Sequence, residues 1–392
     1  MAQRCNETGN SKGLREKIVK KPNYKILRKE KKFDWFVGVY GNSLWTLAGI
    51  PVRDYYTNPS ACIEAYHKGR PLVKELFGEA MPSIPILTPM IKYGHVNTIG
   101  AKLNFPQGGE VHHIPPFNSL QEGIKRLQEP IDFATSGLTP SYLDFYKKVQ
   151  QAFPAEQVYF GWQWEGPVTT AWELLGVNFM YDLFDKPDAL RQFMKLSTAS
   201  IVEYCRFFCK VENTKILNPE PDHGRLCDDI AAMVPPKMWP DFVLPYWDMF
   251  YGGPVPARIL HCEDMKADQL QFLEQLSLID YDPGISPKLN PKIVNAGTQV
   301  PFGWRLPGFR YSYMSCQDVE DFVYQAAADG ASYVHTHIEA VMCNEETAKK
   351  VRSFVKAAKE AERLLGDGVS REEIGERVSP GGRKKFWDHW LE

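Results

Sequence analysis

RILHCE at residues 258–263 and YVHTHIEAVMC at residues 333–343 bound the stretch of sequence that decides the fold. Two further apolar runs, at residues 277–281 and 300–306, lie between them, and helix-like segments separate the runs. Each run ends in polar or turn-forming residues. This alternation predicts consecutive βα units, which place reactive side chains at the C-terminal ends of strands.

Units of a strand followed by a helix recur from about residue 84 to residue 365, and they number roughly eight. We therefore predict an α/β protein whose (β/α)8 TIM barrel spans residues 34–366. An N-terminal arm precedes the barrel at residues 1–33, and a C-terminal tail follows it at residues 367–392. A doubly wound parallel sheet is the alternative, but no G-x-G-x-x-G motif follows an early strand.

The composition of the chain excludes several classes of protein. With 392 residues and a formal net charge of −2, the chain has no bulk attraction for nucleic acid or for an anionic membrane. No apolar run approaches the length of a transmembrane helix, and residues 1–32 lack the apolar core of a signal peptide. The eight cysteines are scattered without a C-x-x-C motif. These features predict a cytoplasmic protein with reduced thiols.

Three residues in the deciding stretch form a candidate metal site. Side chains alternate between the two faces of a strand, so His261 and Glu263 point to one side and Cys262 to the other. Cys343 follows the last apolar run and is placed to reach the same rim from a neighbouring strand. Imidazole, carboxylate and thiolate all bind zinc, and three ligands leave one position open for catalysis. Alternatively, His261 is a hydrogen-bonded residue at a strand end and Cys343 a small buried hydrophobe.

Several segments, in this order and spacing, resemble the uroporphyrinogen decarboxylase superfamily. The matching pieces are GPVTTA (166–171), DDIA (228–231) with PPKMW (235–239) and LPY (244–246), LH (260–261), and NEET (344–347) after Cys343. The resemblance covers about residues 35–365. It implies a (β/α)8 barrel whose pocket lies at the C-terminal rim of the strands. The superfamily contains both decarboxylases and zinc methyltransferases that work with corrinoid proteins.

The two branches differ at positions that this sequence allows us to compare. Decarboxylases carry an Arg-rich motif of the R-Q-A-G-R-Y type, whereas residues 37–45 here read VGVYGNSLW, without Arg. Members of the methyltransferase branch carry a sequence pattern similar to H-x-C…C, which supplies three zinc ligands at two strand ends. This chain keeps His261, has Glu263 in place of the first Cys, and has Cys343 near the second. His337 is a spare ligand if it points inward and His335 outward.

The resemblance therefore implies zinc held by His261, Glu263 and Cys343, with an acceptor thiol as the fourth ligand and nucleophile. A corrinoid protein would carry the methyl group as methylcorrinoid, and a small molecule would be the methyl acceptor or donor. Asp228, Asp229 and Glu165 are candidate catalytic residues that orient the acceptor, although Asp228 and Asp229 equally suit helix capping before residue 230. Four aromatic residues are candidate pocket walls or core residues: Trp162, Trp164, Tyr246 and Trp304.

Three hypotheses remain open at this point. The first is a corrinoid-dependent zinc methyltransferase, acting in methyl transfer or in demethylation of a methylated compound. The second is a metal-free lyase of the decarboxylase type that acts on a carboxylated substrate. The third is a barrel that binds a ligand or a corrinoid partner without catalysis.

Overall fold

The structure is a computed structural model that describes residues 22–78, 84–213, 224–252 and 258–387. Its strands are β1 (Asp34–Val39), β2 (Ile86–Leu87), β3 (Lys102–Asn104), β4 (His112–Ile114), β5 (Val158–Tyr159), β6 (Gly224–Cys227), β7 (Arg258–His261), β8 (Asp280–Asp282), β9 (Gly303–Leu306) and β10 (Tyr333–Ile338). Most of the predicted N-terminal arm lies outside the described residues.

The α-helices of the described segments alternate with these strands. They are α1 (Tyr24–Glu30), α2 (Gly41–Ala48), α3 (Val52–Thr57), α4 (Pro59–Phe77), α5 (Gly94–Ile99), α6 (Leu120–Leu127), α7 (Thr139–Ala152), α8 (Pro167–Leu175), α9 (Asn178–Asp185), α10 (Pro187–Glu212), α11 (Trp239–Phe242), α12 (Leu244–Tyr251), α13 (Pro291–Gly297), α14 (Cys316–Ala328), α15 (Glu345–Gly366), α16 (Arg371–Gly375) and α17 (Pro380–Gly382). Short 3-10 helices follow β6, β7, β9 and β10.

Helix boundaries follow local capping chemistry. The Asn58 side chain accepts a hydrogen bond from the Ser60 backbone N–H at the start of α4, and Pro59 occupies its first turn. Ser119 caps α6 in the same way, and Asn344 caps α15 through the Thr347 N–H. These side chains satisfy backbone donors that a helix start leaves unpaired.

Parallel pairing organises the strands of the α/β fold. β6, β7 and β8 form one parallel sheet, β9, β10 and β1 form another, and β2 pairs with β5. A single bridge between Tyr281 and Phe302 joins β8 to β9. Eight of the described strands thus take part in parallel pairs, but none of their pairings joins β1 to β2 or β5 to β6. Strands β3 and β4 pair with each other as an antiparallel hairpin, apart from the parallel strands.

The two faces of the parallel strands carry different kinds of side chain, as β7 shows. Arg258 and Leu260 are buried and point outward; the Arg258 guanidinium stacks over the Tyr251 ring of α12. His261 points to the opposite side, where Asp282 of β8 lies beside it. Asp282 also approaches His335 of β10, although β9 separates their strands. We call the side that carries His261, Asp282 and His335 the inner face of the strands, and the helix-facing side the outer face.

The segment around α1 covers one end of the strands. The Arg28 guanidinium donates hydrogen bonds to the backbone carbonyls of Thr298, Gln299 and Val300, just before β9. Lys31 forms an ion pair with Asp280, the first residue of β8. These contacts hold the segment against the N-terminal ends of β8 and β9.

The C-terminal residues up to 387 continue from α15 onto the outside of the fold. Ser379 donates its backbone N–H to Asp321 of α14, at 2.9 Å, and Ser370 caps α16. Across the described segments, we find no helix with the length and apolar character needed to cross a membrane.

Candidate active site

A cluster of titratable side chains lies at the C-terminal end of β7. The His261 Nδ1 atom is 3.0 Å from Asp282 Oδ2, and its Nε2 atom is 3.7 Å from both Asp229 Oδ1 and Glu263 Oε1. His261 and Asp282 lie side by side because the parallel register aligns them on neighbouring strands. On its other side, the same register aligns His261 with Cys227. The imidazole is thereby oriented by one carboxylate and faces two more.

Asp282 is the centre of this arrangement. Its side chain is nearly buried, and its Oδ1 atom lies 3.4 Å from the His335 Nε2 atom. Burial alone would raise the pKa of Asp282, but its interactions with His261 and His335 hold that pKa well below its usual range. Burial alone would lower the pKa of His261, but Asp282, Asp229 and Glu263 raise it above its ordinary value. The ionised Asp282 carboxylate therefore makes the His261 imidazole a stronger base than an isolated histidine.

Backbone groups fix the two carboxylates that face the His261 Nε2 atom. Asp229 accepts a hydrogen bond from the Glu263 N–H at 2.8 Å, and Glu263 accepts one from the Ile285 N–H at 3.0 Å. The second contact depends on Gly284, whose φ of +57° is in the left-handed region. A Cβ atom at Gly284 would lie 2.2 Å from Glu263 Oε1. Glu263 therefore has its present position only while residue 284 is glycine.

The predicted zinc ligands are only partly brought together. His261 and Glu263 approach each other, but the Cys343 Sγ atom lies 3.6 Å from the Glu339 carbonyl oxygen, in the turn after β10. Across the residues that the structure describes, no three or more His, Cys, Asp and Glu side chains are arranged to hold a metal ion. The predicted set does not fit zinc in this geometry, and zinc stays a prediction from sequence.

The two histidines of β10 lie on the same face of the strand. His335 and His337 are two residues apart and share the inner face, so the condition set for His337 as a spare ligand, with His335 pointing outward, is not met. His337 stacks on the Tyr40 ring at 4.8 Å, and burial lowers its pKa to about 3. It lies against Gly38, where an added Cβ atom would be 2.3 Å from the imidazole.

Asp228 is a structural carboxylate in this fold. It is fully buried and accepts hydrogen bonds from the Val168 N–H, the Thr169 N–H and hydroxyl, and the Trp247 indole N–H, at 2.6–3.0 Å. Burial raises the pKa of Asp228 to about 6 in spite of these donors. Asp228 thus caps α8 from another segment and occupies the N–H groups there. The sequence alternative was capping before residue 230, but the Asp228 side chain makes no cap hydrogen bond to the 3-10 helix at Asp229–Met233.

Glu165 follows β5 and forms an ion pair with Lys92. The Lys92 Nζ atom is 2.8 Å from Glu165 Oε1, and the Glu165 side chain is almost entirely buried while half of Lys92 is accessible. Burial raises the pKa of Glu165 to about 7, although Lys92 opposes the shift. A carboxyl group with this pKa can hold or release a proton near neutral pH. Lys92 was not anticipated from the sequence.

The structure places all four predicted wall aromatics in the layer of helices outside the strands. Trp162 is fully buried and stacks on Tyr142 of α7 at 4.2 Å. Trp164 packs against Phe208 of α10 at 5.0 Å, and the Tyr246 hydroxyl donates to the Arg191 carbonyl of α10. Trp304 aligns with Val334 on the outer face. None of the four lines the cavity beside β1 and β2, although Tyr246 lines a separate surface pocket between α10 and α12. Their role as walls of a substrate pocket stays a prediction.

A cavity of about 430 Å³ lies instead beside the C-terminal ends of β1 and β2. Its lining includes Tyr40, Lys92 and Glu339. Glu263 and Lys92 both influence the pKa of Tyr40, which burial raises, so this cavity lies close to the His261 cluster. The concentration of aromatic residues between positions 40 and 66 was the signal in the sequence that could have located it.

Comparisons with known proteins agree with this architecture. A family model for uroporphyrinogen decarboxylase (URO-D) matches residues 48–285. Among 18 matching chains of solved structures is a methyltransferase from Methanosarcina mazei, with a TM-score of 0.60 and 17% sequence identity. The match covers 85% of this chain and 96% of that chain, and at this identity it shows a shared fold. No curated protein matches the sequence significantly. Since the family model spans more than half of the 392 residues, the chain belongs to the uroporphyrinogen decarboxylase (URO-D) family.

Proposed function

We propose that this protein is a methyltransferase that moves a methyl group between a corrinoid protein and a small molecule, on a completed (β/α)8 barrel. The family match and the shared fold with a methyltransferase support the proposal at the level of architecture. The geometry of the site has to distinguish methyl transfer from decarboxylation, because the family fold accommodates both.

One observation favours methyl transfer: Lys92, Arg225 and Arg305, three cations that the structure describes around the site, are each paired with a carboxylate. Lys92 contacts Glu165 at 2.8 Å, Arg225 contacts Asp282 at 3.4 Å, and Arg305 contacts Glu339 at 3.3 Å. A substrate with several carboxylates needs inward cations that are free to bind it. Residues 37–45 add no Arg. A decarboxylase-type lyase is therefore the less favoured second candidate.

The His261–Asp282 pair supplies the proton transfer that methyl transfer to a thiol requires. In this proposal the acceptor S–H lies at the His261 Nε2 atom, and the proton moves to that nitrogen. The sulfur electron pair then forms a bond to the methyl carbon. The cobalt–carbon bond breaks with its electrons remaining on the corrinoid cobalt. Asp282 stabilises the imidazolium, and no step in this scheme is routed through zinc.

The corrinoid protein is proposed to dock on the turns after β9 and β10. Phe309, Tyr313 and Val341 lie in these turns, and 52%, 82% and 69% of their respective surfaces are exposed. Exposed apolar residues of this kind are typical of contact surfaces for other proteins. The turns follow the C-terminal ends of the strands, on the same side as His261. We also propose a cytoplasmic location, which suits the eight scattered cysteines without a C-x-x-C motif.

The test is a methyl-transfer assay with methylcobalamin and 2-mercaptoethanol, followed by the absorbance change of cobalamin. We expect turnover by the wild-type protein and a loss of about 10²- to 10⁴-fold in His261→Ala. His112→Ala is the matched control, since His112 is exposed on the β3–β4 hairpin.

Three results would contradict the proposal. Equal activity in His261→Ala would remove His261 from the reaction. Release of carbon dioxide from a carboxylated tetrapyrrole would establish the lyase. Absence of turnover with any methyl donor, while cobalamin still stabilises the fold, would establish a binding protein. Metal content measured by plasma mass spectrometry, in wild type and in Cys343→Ala, tests the zinc prediction independently.

A further inference from the structure

The cavity beside β1 and β2 has an unusually aromatic lining. Six aromatic residues from four segments line its volume of about 430 Å³: Tyr40, Trp45, Tyr55, Tyr56, Tyr66 and Tyr93. This volume is within the range of sites that enclose a small molecule. The cavity is therefore large enough for a ligand of its own, next to the His261 cluster.

Three of these rings form a compact group. The Trp45 and Tyr55 ring centroids are 4.7 Å apart, those of Trp45 and Tyr56 are 5.8 Å apart, and Tyr55 and Tyr56 meet edge to face at 5.6 Å. Gly41 fits against this group, since a Cβ atom there would approach the Tyr55 hydroxyl to 3.0 Å. The face of an aromatic ring carries partial negative charge and attracts a cation within about 6 Å.

The charges around the cavity add to this preference. Lys92, the one cation among the described lining residues, is neutralised by Glu165 at 2.8 Å. Of the two lining carboxylates, Glu339 is neutralised by Arg305 at 3.3 Å. Glu110 forms no ion pair with any residue in the described part of the chain. The cavity thus has a net charge of about −1, which favours a cationic ligand.

We propose that this cavity binds a small organic cation with a methylated nitrogen, which is the methyl donor of the enzyme. The proposal rests on the proposed methyl transfer and concerns the opposite half-reaction, in which a small molecule gives its methyl group to the corrinoid that the thiol reaction leaves without one. Aromatic faces with a nearby carboxylate recognise quaternary ammonium groups, whose charge is spread over apolar methyl surfaces. A neutral methyl ether would gain the apolar contacts but not the electrostatic attraction.

The corresponding reaction balances with a reduced corrinoid as the acceptor. The Co(I) electron pair forms a bond to the methyl carbon, and the C–N bond breaks with its electrons remaining on nitrogen. A quaternary ammonium ion and Co(I) thus become a tertiary amine and methyl-Co(III). The unprotonated amine has lost the positive charge that the cavity recognises, which favours its release.

Calorimetric titration of the full chain tests the binding step without any turnover. The probe is choline, and its neutral isostere 3,3-dimethyl-1-butanol has a carbon atom in place of the charged nitrogen. We expect choline to bind at least about tenfold more tightly than the isostere. Trp45→Leu should weaken choline binding by about tenfold, and Glu110→Gln should weaken it by a few-fold. Tyr181→Leu is the control, since Tyr181 is exposed on α9 outside the cavity lining, and it should bind as the wild type does.

The outcomes separate this inference from the proposed function. Equal affinity for choline and the isostere, or no binding of either, overturns the organic-cation site even when methyl transfer from methylcobalamin is observed. Preferential choline binding in a protein without methyl-transfer activity leaves the site in place and overturns its role in methyl transfer. Glu110 is exposed, so Glu110→Gln remains a folded probe if Trp45→Leu does not fold.

Discussion

The outer and inner faces of the strands carry opposite chemistry. Leu260 and Val334 on the outer face are fully buried apolar residues, and Trp162 packs in the same outer layer. The inner face carries His261, Asp282 and His335, which contact one another. Consecutive residues of one strand thus serve different purposes: one set excludes water from the core, and the other keeps polar groups in defined positions. Substitutions on the two faces should therefore have separable effects.

The largest expected effect is a loss of stability caused by a substitution in the layer that packs on the outer face. Trp162→Ala should lower the free energy of unfolding by about 3–5 kcal/mol, because it removes a fully buried ring that stacks on Tyr142. Activity per folded molecule should stay within about twofold. Urea unfolding and an activity assay on the folded fraction measure the two quantities. A Trp162→Ala protein that is stable but inactive would contradict the different roles of the two faces. If Trp162→Ala does not fold, the smaller change Trp162→Phe replaces it in the experiment.

The next largest effect is on the inner face. Asp282→Asn should reduce methyl transfer by about 10²-fold, since the imidazolium of His261 loses the carboxylate that orients and stabilises it. The matched control is Asp280→Asn, which lies on the same strand and the same face but pairs with Lys31 at the opposite end. Comparable losses of activity in both variants would show that the effect is structural and not specific to His261.

The smallest effect is a pH dependence that originates at Glu165. In the unfolded chain a Glu carboxyl titrates near about 4.3, whereas burial raises the pKa of Glu165 to about 7 in the folded protein. Between these values the folded state binds more protons, so its stability decreases as the pH rises. The urea concentration at the unfolding midpoint should decrease between pH 5 and pH 7.5, and the decrease should be larger in the wild type than in Glu165→Gln. If the stability of both proteins changed with pH by the same amount, Glu165 would not be the origin of the pH dependence.

Much of the α/β architecture was predictable from local patterns. Asn58, Ser119 and Asn344 precede helices because their side chains accept hydrogen bonds from the first turn, a local interaction that sequence reveals directly. Alternation within RILHCE correctly placed His261 and Glu263 together. Closure of the strands was not predictable, because pairing between distant strands depends on tertiary packing.

The candidate site was less predictable for a physical reason. Asp228 and Asp229 are adjacent, yet Asp228 is saturated by donors from α8 and Trp247 while Asp229 approaches His261. No local pattern distinguishes such neighbours, since their partners come from other segments. Trp162, Trp164 and Trp304 lie on or near strands, where a large ring fits either face, and local sequence does not tell which. Asp282 was missed because its role appears only when β7 and β8 are paired.

The contacts of Arg28 and Lys31 at the N-terminal ends of β8 and β9 have a consequence for molecular traffic. Arg28 and Lys31 cover the N-terminal ends of β8 and β9, so on this side of the fold a ligand approaches the His261 cluster from the C-terminal ends of the strands. Reactant and product then use the same route, and a product that dissociates slowly delays binding of the next reactant. We therefore expect inhibition of turnover at high product concentration.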